Sequence, residues 1–225
     1  MLKSINFKPS KKKHSMNKNL QGIFPICYFA PINYFYYLLQ YPHVTFDIHE
    51  HFVKQTFRNR CQILSPNGVQ NLSIPIKSVK KRKTYWNTQI SNTENWQILH
   101  WRSLEAAYRS SPYFEYYEDH FALFFLEKQF DFLHEITLAT HELVAKLIQL
   151  PVKHQLSESF VKTPENTDDF RGLMSPSKLP KNLELTPYIQ VFSDRHPFTT
   201  NLSILDLLFN QGPNSISYLK GIKEI

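Results

Sequence analysis

Lys54-Gln55-Thr56-Phe57-Arg58-Asn59-Arg60-Cys61-Gln62-Ile63-Leu64-Ser65-Pro66-Asn67-Gly68 is the stretch on which the reading of this chain turns. Its second half predicts a hairpin. The apolar runs Gln62-Ile63-Leu64 and Leu72-Ser73-Ile74 flank Asn67-Gly68, and both of those residues tolerate the positive φ that a tight turn demands. Strands are therefore expected near 60–65 and 69–76. The first half sets two arginines around an asparagine just ahead of a strand. A guanidinium is a rigid fork of donors that matches carboxylate or phosphate oxygens, and arginines two apart on a strand share a face. Arg58, Asn59 and Arg60 are accordingly candidates for binding an anionic small molecule such as a nucleotide sugar. The competing reading is a structural knot in which the arginines pair with Asp47 or Glu50.

Working outward from that stretch gives the fold class. Residues 23–29 form a short apolar run that predicts a buried strand. Ala30-Pro31 turns it, residues 32–40 read as an aromatic helix, and 43–48 alternate polar and apolar as a half-buried strand does. Towards the C-terminus, Ser91-Asn92-Thr93-Glu94 has capping-box spacing, and Ile98, Trp101, Leu104 and Tyr108 recur at helical spacing. Pro112 opens a second helix with a Phe114, Tyr117, Phe121, Phe125 stripe. A third presents Leu133, Ile136, Leu143 and Leu147 inward and stops at Pro151. Residues 152–182 lose any period and read as a long irregular loop, a candidate lid over a site. Residues 188–192 read as a strand, and a capped helix follows Asn201. The expectation is one mixed α/β domain over 21–225, with a small, partly antiparallel sheet packed against a helical middle third.

Composition removes several function classes. The formal charge is +7 over 225 residues, but Lys3, Lys8, Lys11, Lys12, Lys13 and Lys18 occupy an acid-free segment. That leaves about +1 elsewhere, so the excess belongs to a basic, disordered arm at 1–20, and Met16 is a candidate true start. A nucleic-acid binder spreads its basic stripe over a folded surface, so no nucleic-acid partner is expected, and the run at 77–83 reads as a solvated loop. Residues 19–46 carry no charge apart from His43, yet Pro25, Pro31, Pro42 and five tyrosines argue against a membrane-spanning helix. The two cysteines, Cys27 and Cys61, have no metal-ligand spacing and are too few for a disulfide framework. No metal or cofactor is expected, the location is expected to be cytoplasmic, and a homo-oligomer is allowed.

Further polar residues qualify as site candidates. His49 and His51 lie two apart in a loop and are candidates for zinc ligands or a general base, with exposure in solvent as the plain alternative. His134 and His141 are seven apart on one helix and read as a solvated stripe. Asp206 stands three after Ser203, the spacing of a capping partner. It is nonetheless carried as a catalytic candidate, because a helix start also offers free N–H groups to an anion. Asn201 and His196, in and beside the loop entering that helix, are candidates for the same cleft.

These pieces resemble the WbqC-like family of bacterial proteins. The matching segments are Pro25-Ile26-Cys27-Tyr28-Phe29-Ala30-Pro31, the Phe52–Arg60 stretch, Asn95-Trp96 with His100, Ala107-Tyr108 with Pro112-Tyr113-Phe114, and Asn201-Leu202-Ser203-Ile204-Leu205-Asp206 running to Gly212-Pro213. The last is the most specific. The resemblance implies a transferase of surface-polysaccharide (O-antigen-type) biosynthesis that moves a small acyl or aminoacyl group, such as glycine, onto an amino sugar. It also marks His100 as a candidate catalytic base. The alternative is a non-catalytic interaction or ligand-binding protein.

Overall fold

The computed structural model describes residues 21–78, 83–180 and 182–225, so the expected arm at 1–20 and the middle of the basic run at 77–83 lie outside the described residues. The first strand, β1 (Gln21–Phe24), is buried from Gly22 onward. Through α1 (Ile32–Leu38) it leads to β2 (His43–Phe46) in parallel register, with Gly22 opposite Val44 and Phe24 opposite Phe46. The helix stops two residues before the expected Gln40. Gln40 and Tyr41 donate their N–H groups three residues back, to Tyr37 and Leu38, which tightens the last turn. Pro42 then disfavours helix at Tyr41.

The hairpin appears as expected, β3 (Arg60–Ser65) against β4 (Gly68–Ser73), with Gly68 at φ 97°. It stands apart from the main sheet. That sheet instead recruits two strands from the stretch read as a loop. β5 (Lys153–Leu156) runs parallel to β2, and β6 (Thr167–Asp169) runs parallel to β1. The order is β5-β2-β1-β6, all parallel. Every residue of β5 is exposed, as a charged edge strand allows, so no alternation marks it in sequence.

Residues 188–192 do not form the expected strand. Gln190 explains this, because its side chain takes the place of a ladder partner. Nε2 donates to Thr199 O at 3.0 Å and Oε1 accepts from Thr199 N at 2.9 Å. A two-stranded piece, β7 (Leu183–Glu184) with β8 (Lys223–Glu224), closes the chain end.

The middle third is helical: α2 (Trp96–Tyr108), α3 (Phe114–Ala122) continuing into a π-helical turn (Leu123–Glu127), and α4 (Leu133–Leu147). α2 starts later than the 91–94 pattern suggested, because the Ser91 hydroxyl bonds Thr93 rather than a helix N–H. Glu135 supplies a carboxylate cap at α4 instead, accepting from Asp131 N and Phe132 N. Trp101, Leu104 and Tyr108 are buried as expected, whereas Ile98 is 39% exposed. α5 (Ile204–Gln211) brings Phe209 against Tyr108, Phe114 and Phe121, joining the helices in one aromatic core. α6 (Ser215–Gly221) completes the fold.

Candidate functional site at the carboxyl edge of the sheet

Four parallel strands bring their carboxyl ends to one edge. β2 and β5 lie on one flank of β1 and β6 on the other, so the chain reverses its winding beside β1. In open α/β sheets such a reversal leaves a crevice outside the strand ends, the usual place for a ligand.

Charged side chains collect there. Asp47, the first residue beyond β2, is fully buried. Its Oδ1 accepts from His49 N (2.9 Å), Glu50 N (3.0 Å) and Ser157 Oγ (3.2 Å), and its Oδ2 accepts from Arg171 Nη1 (2.6 Å). Arg171, just beyond β6, also clasps Asp169 with Nε (2.9 Å) and Nη2 (2.6 Å). Glu50 takes both teeth of the Arg58 fork, Nε at 2.6 Å and Nη2 at 2.7 Å, and Arg58 Nη2 reaches Arg171 O at 2.9 Å.

Three carboxylates and two guanidiniums thus form one chain of bonds with an excess of one negative charge. Burial raises the Glu50 carboxyl above its ordinary value, opposed by the Arg58 bonds. Burial likewise pushes the neighbouring Cys27 thiol up to about 12 and the Tyr34 phenol well above its usual value. Such a thiol stays protonated and is a poor nucleophile.

The residues singled out in sequence fall into separate settings. Arg58 is spent on Glu50, the knot named as the competing reading. Asn59 Nδ2 donates to Ile74 O at 2.9 Å, which fixes the amide, and Asn59 Oδ1 and Arg60 Nε are buried atoms with no partner among the described residues. Arg60 itself is half-buried at the foot of β3.

His100 is buried in the core. Its Nδ1 meets the Tyr28 hydroxyl at 3.0 Å, and burial lowers it to about 4. It is a neutral imidazole at neutral pH.

Asp206 does not cap its own helix. Ser203 does that, accepting from Leu205 N at 3.2 Å. The Asp206 carboxylate accepts from Tyr108 Oη (3.1 Å), Tyr188 Oη (2.6 Å) and Gln190 Nε2 (2.9 Å), and burial raises its pKa. Asn201, at φ 57°, caps a different helix, its Oδ1 accepting from Asn33 N of α1 at 2.9 Å. His196 Nε2 bonds Pro66 O at 3.0 Å and so ties its loop to the hairpin tip.

His49 is half-buried and His51 exposed. Among the described residues no three His, Cys, Asp or Glu side chains gather as a metal site requires, and no helix is long and apolar enough to cross a membrane. The solvated stripe expected of His134 and His141 is overturned. His134 stacks on Trp86 with centroids 3.8 Å apart, while His141 sits among Tyr34, Phe35 and Phe46 and is lowered to about 3 by burial.

Arg171 and Asp169 escaped the sequence reading. The one signal was Asp168-Asp169-Phe170-Arg171, acids followed by an arginine in an aperiodic stretch.

No curated protein and no solved structure matches the chain. A family model does match, over residues 27–175, which hold Cys27, Asp47, Glu50, Arg58, His100, Asp169 and Arg171 but not the 201–213 segment. With that match covering well over half of its length, the chain belongs to the WbqC-like protein family.

Proposed function

We propose that this protein is a cytoplasmic transferase of bacterial surface-polysaccharide (O-antigen-type) biosynthesis, moving a small acyl or aminoacyl group, such as glycine, onto an amino sugar at the carboxyl edge of the parallel sheet. The observation that carries the reading is the convergence of Asp47, Glu50, Arg58, Asp169 and Arg171 at the winding reversal beside β1. Desolvating ion pairs costs as much as their attraction returns, so fold stability alone gives little reason to build such a nest.

In the transfer, the acceptor amine attacks the acyl carbon. A C–N bond forms, the bond to the leaving group breaks, and the amine proton passes to a base. Glu50 is the base assigned to that proton: burial raises its carboxyl, and Arg58 gives up one of its two bonds for an oxygen to accept it, whereas His100, lowered to about 4, binds a proton weakly at neutral pH. Arg60, two residues from Arg58 and with a buried Nε that meets no partner among the described residues, is assigned the donor's anionic part, and Asn59 Oδ1 an acceptor hydroxyl or amide.

Isothermal titration of the full chain against nucleotide sugars tests this. Loss of one charge-assisted bond is worth roughly 1.5–3 kcal/mol, so Arg60→Ala is expected to weaken binding by about 10- to 100-fold. Equal affinity in parent and Arg60→Ala removes the anion assignment. A second reading, a non-catalytic interaction protein, draws on the exposed Leu99, Leu126 and Tyr116, the last 74% accessible. It is favoured if no nucleotide sugar binds the parent.

A further inference from the structure

The crossover from β5 to β6 is unusual in carrying no helix. β5 ends at the carboxyl edge on one flank of the sheet, and β6 begins at the opposite edge on the other flank. Residues 157–166 must therefore travel across the strand ends before descending. Their contacts trace that path. Ser157 N donates to Phe46 O (2.9 Å), and Ser157 Oγ joins Asp47 and Ile48 at the end of β2. By Phe160 and Lys162 the chain has reached Arg171, beyond the end of β6. Residues 158–162 thus lie as a strap over the winding reversal, where the ligand of an α/β sheet belongs.

The strap is held weakly. All five residues are exposed, and Phe160 and Val161 leave 48% and 46% of their surface in water. Two contacts with Arg171 hold it among the described residues. Arg171 Nη2 donates to Lys162 O at 3.4 Å, the limit of a hydrogen bond, and the guanidinium carbon lies 5.2 Å from the centre of the Phe160 ring. The nest beneath does not depend on either, because Asp47 and Asp169 already fix Arg171 at 2.6–2.9 Å. The strap is bounded on one side by Ser157, fixed to the end of β2, and on the other by Asn166, whose φ of 51° turns the chain into β6.

We propose that residues 158–162 are a gate that detaches from Arg171 without unfolding the sheet, opening the crevice at the carboxyl edge to a ligand, and recloses with Phe160 and Val161 packed over it. The identity of that ligand rests on the reading above; the gate does not.

Hydrogen exchange of the intact chain, followed by mass spectrometry, tests it in two arms. Without ligand, amides at 158–166 are expected to exchange at least about 100-fold faster than those of β1 and β2, as a local opening well below the global free energy requires. Phe160→Ala removes an exposed cation–π contact worth a factor of about 2–5 and should speed phenylglyoxal modification of the buried Arg171 guanidinium, read in the same mass spectra, by that factor, leaving exchange of β1 and β2 unchanged. Strap exchange at the same rate as β1 and β2, or no response to Phe160→Ala, overturns the gate. The second arm adds UDP-N-acetylglucosamine. Slower exchange confined to the strap supports both the gate and the substrate class. A strap that opens, responds to Phe160→Ala and ignores the nucleotide sugar leaves the gate standing and removes the nucleotide sugar.

Discussion

Replacing Arg58 with methionine is the sharpest perturbation of the carboxyl edge. The substitution keeps most of the buried volume but leaves the Glu50 carboxylate, 6% exposed, without the two bonds of 2.6 and 2.7 Å that compensate its charge. Removing one partner of a buried pair costs about 3–5 kcal/mol, and Arg171 O loses its donor as well. For a chain of this size roughly 2–4 °C of Tm accompanies each kcal/mol, so Arg58→Met is expected to melt about 6–20 °C below the parent. Glu50→Gln strands the guanidinium instead and should cost a comparable amount. The double variant Glu50→Gln/Arg58→Met leaves neither charge buried, so its cost should be no larger than that of either single variant.

The Arg58→Met variant also acquires a pH dependence. With its cation gone, the Glu50 carboxyl is raised further in the folded state, so the fold holds a proton that the unfolded chain releases. The stability it contributes is present below the unfolded value near 4.3 and is lost as pH rises through the folded one. The deficit of Arg58→Met should therefore shrink on acidification, by up to about 1.4 kcal/mol per unit. Guanidinium denaturation followed by circular dichroism at pH 5, 6 and 7 measures all of this. Additive costs in the double variant, or a deficit that does not change with pH, would refute a buried, mutually dependent pair.

Three other outcomes follow from particular contacts. His141, lowered to about 3 against about 6.5 unfolded, favours folding above the unfolded value. Below it the unfolded chain binds the proton first, so the stability advantage of the parent over His141→Gln should fall by about 1.4 kcal/mol per unit between pH 6 and 4, read from denaturation midpoints. Asp206→Asn puts an amide NH2 where the carboxylate accepts Tyr108, Tyr188 and Gln190. At least one donor loses its acceptor, at a cost of about 1–3 kcal/mol on the same assay. Gly212→Ala meets a positive φ of 51° and a Cβ position 2.6 Å from the Tyr113 ring, so it should destabilise by more than about 1 kcal/mol, visible as a lower Tm.

The sequence disclosed whatever is written in local period or turn chemistry. Asn67-Gly68 placed the hairpin, and the Phe114, Tyr117, Phe121, Phe125 stripe placed a helix and its buried face. β5 and β6 were invisible because an exposed edge strand shows no alternation, and the main sheet was accordingly underestimated. Asp206 shows a different limit. Its spacing from Ser203 suits a cap, yet Tyr108 Oη, from 98 residues away, and Tyr188 Oη turn the carboxylate elsewhere. The seven-residue repeat of His134 and His141 marked a shared helix face, but whether that face meets water is decided by Trp86, Tyr34, Phe35 and Phe46, which lie far off in the chain. Arg58 was legible as a fork needing an anion, and both candidate anions were in view. Choosing the internal one requires knowing that the turn after β2 folds back over residue 58.

Two buried polar centres compete for the role of site, and their surroundings separate them. The Asp206 centre is closed: its carboxylate is filled by three donors from the chain's own side chains, and its helix is buried on every side from Ile204 to Asn210. A ligand could reach it only by displacing Tyr188 and Gln190. At the carboxyl edge Asp47, Glu50, Arg58 and Arg171 are buried but Asp169 already reaches solvent, and over Arg171 lies an exposed strap that meets it through a 3.4 Å bond and one ring face. Unveiling Asp206 displaces buried Tyr188 and Gln190 bonds, whereas unveiling Arg171 breaks a 3.4 Å bond and a ring contact and uncovers the shielded half of Phe160 and Val161. Access, more than the number of charges, separates the two centres and favours the edge of the sheet.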